Sequence, residues 1–202
     1  MNKKVKLILQ GLLFILIIAG FIYIGTKDFG TEEVVDNERF DQEYANVSKD
    51  NVFKYANAVE VYAALKEDAI IFMGYPENTW SGYYANILNE AAKDCGITEI
   101  LYYDFYEDRE NRNGTYQSIV LSLSNYLVTL DDGTKELYAP TLVIVKDGKV
   151  IAFDNETAFI KGNVTPEYYW NDYQAGIKYN NFKTMFQGYL EWNACLFLLR
   201  SL

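Results

Sequence analysis

Apolar residues occur along this chain in two kinds of pattern. Short runs that are rich in β-branched and aromatic residues predict strands at 52–55, 69–73 and 99–105, and on both sides of an Asp-Gly turn at 147–148. Apolar positions that recur every three or four residues predict helices over 58–66, 79–95, 116–127 and 181–199. Alternating strands and helices followed by a hairpin predict an α/β domain, with a mixed central sheet and helices on both faces.

The N-terminal segment has a different pattern. After Lys3, Lys4 and Lys6, residues 7–25 form an almost uninterrupted apolar run, which is about long enough to cross a bilayer as a helix. The preceding lysines predict that residues 1–6 are cytoplasmic and that the chain from Thr26 onward is extracellular. A cleaved signal peptide is the alternative, but the run is long for one and lacks a small-x-small cleavage site. We therefore predict a single-pass signal anchor in the cell membrane.

Residues 26–50 are polar and acidic, without a sustained apolar period, and predict a linker. The remaining residues, 51–202, are numerous enough to form one domain with its own core. The chain has 18 basic and 28 acidic residues, so 15 basic residues and a net charge of −13 remain once the three N-terminal lysines are set aside. This charge disfavours nucleic acid as a partner. The sequence does not specify an oligomeric state.

The segment 68–81, DAIIFMGYPENTWS, links a predicted buried strand to a predicted helix through a tight turn. Asn78 is a favourable residue for capping that helix, because its side-chain oxygen accepts from free backbone N–H groups. A second segment, 138–153, places Pro140 directly before a strand. Proline has no N–H group to donate to the ladder, which predicts that the strand begins there.

In these two segments the chain resembles the thioredoxin superfamily, and particularly a Gram-positive family often labelled bacteriocin transport accessory proteins. That family has a turn like G-x-P-x-C-P-W-C, where this chain reads Gly74-Tyr75-Pro76-Glu77-Asn78-Thr79-Trp80-Ser81. The resemblance covers about 52–157. It implies a thioredoxin-like fold in which the Ala139–Pro140 bond is cis and lies beside the turn.

The resemblance also implies where a site would be. The Cys-x-x-Cys position is occupied by Asn78, Thr79, Trp80 and Ser81, so the two redox-active sulfurs are missing. In this fold the segment at the cis-proline offers unpaired backbone groups to an extended peptide. The residues expected to bind a polypeptide are therefore Tyr75, Pro76, Trp80, Ala139, Pro140 and Thr141. Trp80 has an alternative role, packing against its own loop.

Composition restricts the remaining chemistry. The chain has no histidine, which excludes Ser–His and Cys–His nucleophile pairs and removes the commonest zinc ligand. We find no phosphate-binding motif and expect no cofactor or metal. Acidic residues at 104–110 are interpreted as a solvated loop, with calcium binding as the alternative. Cys95 and Cys195 are interpreted as buried apolar residues, with a Cys95–Cys195 disulfide as the alternative.

Two main hypotheses for function follow. The first is a membrane-anchored, redox-inactive thioredoxin-like protein that binds an extended polypeptide near Pro140, in the export or maturation of a secreted peptide. The second is a thiol–disulfide oxidoreductase in cell redox homeostasis that uses other cysteines. A structural or cell-wall role, prompted by the 18 tyrosines, is a further alternative.

Overall fold

A computed structural model describes residues 36–162 and 164–200, and the side chains within these ranges except those of residues 161 and 192–200. The strands are β1 (Phe53–Tyr55), β2 (Ala69–Gly74), β3 (Ile100–Asp104), β4 (Val128–Thr129), β5 (Lys135–Glu136), β6 (Thr141–Lys146) and β7 (Lys149–Asn155). The α-helices are α1 (Asp36–Glu43), α2 (Ala58–Ala64), α3 (Thr79–Asp94), α4 (Tyr106–Glu110), α5 (Gly114–Ser122), α6 (Pro166–Tyr169) and α7 (Asp172–Arg200). A 3-10 helix spans Ala158–Lys161.

Five of the strands form one mixed sheet in the order β1-β3-β2-β6-β7. The pairs β1–β3 and β2–β3 are parallel, whereas β2–β6 and β6–β7 are antiparallel. The short strands β4 and β5 pair separately. The sheet therefore has two parallel crossover connections followed by a hairpin, which confirms the predicted α/β class with a mixed central sheet.

The central strands bury side chains on both faces because helices cover both sides of the sheet. Phe72 of β2 and Leu142 of β6 belong to a core shared with α1, α3 and α7. Ile71 and Val143, which alternate with them, belong to a second core shared with α2 and α5. This alternation explains why every residue of β2 and β6 is buried and why their sequences read as continuous apolar runs.

Most predicted elements have close counterparts, and the differences occur mainly at their ends. Asn57 caps α2 in a complete capping box, and Gly96 follows α3 with φ +74°. The predicted helix over 116–127 spans 114–122 instead, and the last helix begins at 172 rather than 181. The segment predicted to be a charged loop contains α4. Val59, an apolar residue of the helix predicted over 58–66, is 65% exposed.

Part of the predicted linker belongs to the folded domain. Residues 36–43 form α1, and Phe40 is fully buried. Its ring stacks on Phe53 at 4.1 Å and on Tyr44 at 4.5 Å, and meets Tyr102 edge-on at 4.8 Å. Phe40, Tyr44 and Val47 have helical spacing, but three apolar residues in an acidic stretch do not make a sustained period, so the helix was not predicted. The structure thus differs from the prediction of a linker that extends to residue 50.

The predicted anchor at 7–25 and the cytoplasmic segment 1–6 lie outside the described residues. Within the part of the chain that the structure describes, no helix has the length and hydropathy needed to span a membrane. The membrane location and the single-pass topology remain predictions from the sequence.

Candidate functional site

The turn between β2 and α3 forms the first half of the candidate site. Asn78 is the N-cap of α3, and its Oδ1 accepts from the backbone N–H groups of Trp80 at 2.9 Å and Ser81 at 3.3 Å. The side chain thereby satisfies two of the donors that a helix start leaves free. The predicted position of this residue at a helix N-terminus is confirmed.

The second half of the site is the loop before β6, and Asn78 joins it to the turn. The Ala139–Pro140 bond is cis, as expected from the resemblance. Asn78 Nδ2 donates to the carbonyl oxygen of Ala139 at 3.1 Å, so one amide side chain caps the helix and also fastens the proline loop. The predicted proximity of the two segments is therefore confirmed. We refer to residues 75–81 and 139–141 as the turn–proline site.

Ser81, at the second position that the resemblance aligns with a cysteine, points into the protein. Its side chain is fully buried, and its Oγ has no hydrogen-bond partner among the described residues. A Cβ atom built on Gly74 would come within 2.9 Å of this oxygen, so glycine is required there for space. A buried hydroxyl without a partner costs on the order of 1–3 kcal/mol.

Three aromatic residues that follow β7 pack against Trp80. The ring centroid of Trp80 lies 5.6 Å from Phe159, 5.1 Å from Tyr169 and 6.3 Å from Trp170. We call Phe159, Tyr169 and Trp170 the aromatic cover. Because of these contacts Trp80 is only 8% exposed and does not present a free binding surface. Trp80 is packed, as the alternative expected, but against residues that follow β7 and not against its own loop.

Phe159 contacts both halves of the site. Its ring also lies 5.8 Å from that of Tyr138, which immediately precedes Ala139. One ring thus touches the tryptophan of the turn and the tyrosine at the start of the proline loop. The sequence shows an excess of aromatic residues at 168–173, but nothing in it indicated a role for Phe159.

A group of mostly buried polar residues holds the aromatic cover in place. Lys178 of α7 pairs with Asp154 at 2.8 Å and with Glu156 at 3.4 Å. Tyr169 donates its hydroxyl to Glu156 at 3.1 Å, and Tyr84 donates to Asp154 at 2.8 Å. Burial, together with Glu156, raises the pKa of Tyr169 to about 12, and burial and Asp154 raise the pKa of Tyr84. Both hydroxyls are consequently neutral donors at physiological pH.

The backbone carbonyls of the proline loop are already used within the domain. The carbonyl of Tyr138 accepts from Thr141 Oγ1 at 2.7 Å, and that of Pro140 accepts from the Glu156 N–H at 3.1 Å. The Ala139 carbonyl accepts from Asn78. The expectation of unpaired backbone groups beside Pro140 is therefore wrong for these three carbonyls, because Asn78, Thr141 and Glu156 occupy them.

The comparisons with known proteins do not identify a relative. No family model matches the chain, and no curated protein is significantly similar to it. The site is therefore interpreted from its own geometry.

Two of the predicted binding residues keep partly exposed side chains. Tyr75 and Pro76 are half-buried, whereas Ala139, Pro140 and Thr141 are buried. The Tyr75 hydroxyl accepts from Arg109 at 3.4 Å, and its ring lies 5.2 Å from that of Tyr106. The accessible part of the site is thus a rim formed by Tyr75, Pro76, the exposed Glu77 and Thr79, and the half-buried Tyr138.

The cysteines do not complete the site. Cys95 is a half-buried free thiol at the opposite end of α3 from Asn78, and burial raises its pKa. It is not the fully buried residue that was expected. Because Cys95 is free, the structure does not support a disulfide to Cys195, whose side chain lies outside the described residues.

The acidic residues at 104–110 do not form a metal site in the structure. Asp104 accepts from the Tyr106 N–H at 3.0 Å, and Asp108 accepts from the Tyr103 hydroxyl at 2.6 Å. Within the described part of the chain no group of three or more potential ligands is arranged around a common point. The calcium alternative therefore has no structural support.

A surface groove of about 940 Å³ lies away from the turn–proline site. It is bounded by α1, α3 and the start of α7, and its lining includes Asp41, Asn86, Glu90, Asp172 and Tyr179. None of the predicted site residues lines this groove. Pocket shape alone therefore does not point to the turn–proline site.

Proposed function

We propose that this protein is a membrane-anchored, redox-inactive thioredoxin-like protein that binds an extended polypeptide at the turn–proline site. The observation that carries the proposal is the hydrogen bond from Asn78 to Ala139. This bond measures 3.1 Å from Asn78 Nδ2 to the Ala139 carbonyl oxygen, and it holds the N-terminus of α3 against the proline loop. Neither Asn78 nor Ala139 carries a sulfur atom.

The sheet supports the thioredoxin-like part of this proposal. The sheet has the order β1-β3-β2-β6-β7 with β6 antiparallel to β2, and it agrees with the mixed central sheet that the resemblance implies. The strand–turn–helix from β2 to α3 and the proline loop before β6 occupy neighbouring positions in it. Since a thiolate is the nucleophile of disulfide exchange, Asn78 and Ser81 leave this arrangement without redox chemistry.

The polypeptide-binding part rests on the rim. Tyr75 and Tyr138 offer rings next to each half of the site, and aromatic side chains contribute large contact areas with few rotatable bonds. The acidic charge outside the predicted anchor favours neutral or basic polypeptides. The biological setting that we propose is the export or maturation of a secreted peptide at the outer face of the membrane.

Binding to an unfolded model polypeptide tests the proposal. Full-length protein in nanodiscs would be titrated with reduced, carboxamidomethylated lysozyme, an unfolded basic polypeptide, and insulin reduction would be measured in parallel. We expect saturable binding that Tyr75→Ala and Tyr138→Ala each weaken several-fold, and no insulin reduction above the buffer rate. Tyr173→Ala, which removes a tyrosine that is 73% exposed on α7, is the matched control and should bind normally.

Two results would contradict the proposal. One is binding that is unaffected by both rim substitutions, since the polypeptide would then contact another surface. The other is insulin reduction by the wild-type protein that is lost in Cys95→Ser or Cys195→Ser, which would establish the oxidoreductase alternative.

A further inference from the structure

The groove between α1, α3 and the start of α7 is a cavity that the turn–proline site does not use. Its volume of about 940 Å³ lies within the range of roughly 300–1,000 Å³ that is usual for ligand-binding clefts. Apolar side chains at Val47, Ile87 and Ala175 form part of its lining. The groove can therefore accommodate the aliphatic part of a ligand as well as polar groups.

Carboxylates outnumber amines along this groove, which we call the acidic groove. Its acidic lining residues are Asp41, Glu90, Asp94 and Asp172. Its single basic lining residue, Lys93, is already paired with the Asp50 carboxylate and donates to the Asp50 carbonyl at 3.0 Å. Among the described residues, no amine or guanidinium pairs with the side chains of Asp41, Glu90 or Asp172. Because a cleft lined by one sign of charge focuses its field, the groove attracts cationic ligands.

A buried amide gives the groove a second, different feature. Asn89 of α3 is only 3% exposed and lines the groove. Its Oδ1 accepts from the Val52 N–H at 3.2 Å, which fixes the orientation of the amide. No described residue accepts a hydrogen bond from its Nδ2, and buried polar groups usually have a partner. This donor is therefore available to a carbonyl oxygen of a ligand in the groove.

We infer that the acidic groove is a second binding site, which takes a lysine- or arginine-bearing segment of an extended polypeptide. The carboxylates pair with the cationic groups, the apolar lining contacts the aliphatic stems of these side chains, and Asn89 donates to a backbone carbonyl. A simple cation would use only the first of these contacts. The groove is separate from the turn–proline site, and this inference does not depend on the proposed function.

Binding of a fluorescent tetralysine, acetylated and amidated at its ends, tests this inference. Full-length protein in phosphatidylcholine nanodiscs would be titrated with the peptide, with empty nanodiscs as the blank. We expect saturable binding that weakens as the salt concentration rises. Glu90→Gln with Asp172→Asn removes two charges of the groove and should weaken binding about fivefold or more. Glu67→Gln with Asp131→Asn changes the net charge equally at exposed positions outside the groove, and it should alter binding less than about twofold.

Filling the groove is an independent test. Gly176 and Gly188 both belong to α7, and a Cβ atom built on either would meet no other part of the protein within 4 Å, but only Gly176 lines the groove. Gly176→Leu should therefore project a side chain into the groove and weaken tetralysine binding about tenfold or more. Gly188→Leu is the matched control and should bind normally. Urea unfolding should show that both variants fold, because leucine favours a helix more than glycine does.

Competition with spermine shows whether a polypeptide is the occupant. Spermine has as many amines as the capped tetralysine but no carbonyl for Asn89, so it should compete more weakly. The inference is overturned if tetralysine does not bind saturably, if the groove variants bind as tightly as their controls, or if spermine binds as tightly as the peptide.

The rim variants separate this site from the turn–proline site. Tyr75→Ala and Tyr138→Ala should leave tetralysine binding unchanged, and a loss of binding in them would place the peptide at the turn–proline site and overturn the inference. If the groove variants bind tetralysine normally while the rim variants still weaken binding of the unfolded lysozyme, the groove is wrong and the proposed function stands. The reverse result would support the groove and contradict the proposed function, so the two failures are distinguishable.

Discussion

At the residue scale, Asn78 has two structural roles at once. Its oxygen caps α3, and its nitrogen binds the carbonyl before Pro140. A single side chain therefore contributes both to helix stability and to the contact between two segments that are 61 residues apart in sequence.

Substitutions at Asn78 should separate these two contributions. Asn78→Ala loses the cap and the bond to Ala139, and we expect a loss of about 2 kcal/mol in the free energy of unfolding. Asn78→Asp retains one oxygen that caps α3. Its second oxygen replaces the amide nitrogen and faces the Ala139 carbonyl, which repels it, so most of the loss in the free energy of unfolding should remain. Asn57→Ala, at the solvent-exposed cap of α2, should cost only about 1 kcal/mol. Urea denaturation of the three variants provides the measurement, and equal losses for Asn57→Ala and Asn78→Ala would contradict the dual role.

Placing cysteines at positions 78 and 81 tests whether the scaffold is compatible with redox chemistry. In Asn78→Cys with Ser81→Cys, the helix N-terminus should lower the pKa of the thiol at 78 below the free value of about 8.5. The pair should oxidise reversibly and reduce insulin, whereas each single substitution should remain inactive. Thiol titration and the insulin assay check this. Two cysteines that titrate normally and never pair in a folded protein would contradict the proposed geometry.

At the element scale, the sequence was most informative where periodicity was strong. The strands β2 and β6 and the helix α3 were predictable because apolar spacing, an Asn cap and a Gly terminator agree there. The helix α1 was not, because Phe40 is its single apolar residue and its other positions are polar. The aromatic cover was not predictable either, since its contacts are tertiary and its 3-10 and four-residue helices have no sequence period.

The contribution of α1 leads to a stability prediction. Phe40→Ala removes a fully buried ring in contact with Phe53, Tyr44 and Tyr102, and should lower the free energy of unfolding by about 3–5 kcal/mol. Glu38→Ala, on the exposed side of the same helix, should change it by less than about 0.5 kcal/mol. If both substitutions had equally small effects in chemical denaturation, α1 would not be part of the cooperative domain.

At the scale of the whole molecule, the location relative to the membrane depends on residues 1–25. Their apolar length and flanking lysines predict an uncleaved anchor with the folded domain outside the cell. When the full chain is expressed in a bacterial host, we expect it to stay with the membrane fraction after carbonate extraction. Protease added to intact cells should degrade the domain. A mature N-terminus beyond residue 20, or a domain that is protected in intact cells, would contradict this topology.

The edge strand β1 has a consequence for how copies of the protein behave together at high concentration. The N–H groups of Phe53 and Tyr55 donate to the side chains of Asn51 and Asp36, at 3.2 and 3.1 Å, so they are not available to a neighbouring chain. Exposed edge strands are the usual templates for fibril growth. Proteolytic loss of the residues before 51 would strip away Asp36 together with Phe40. The shortened chain would then have an uncovered edge strand. It should aggregate more readily than the full chain, even under conditions in which its sheet is still folded.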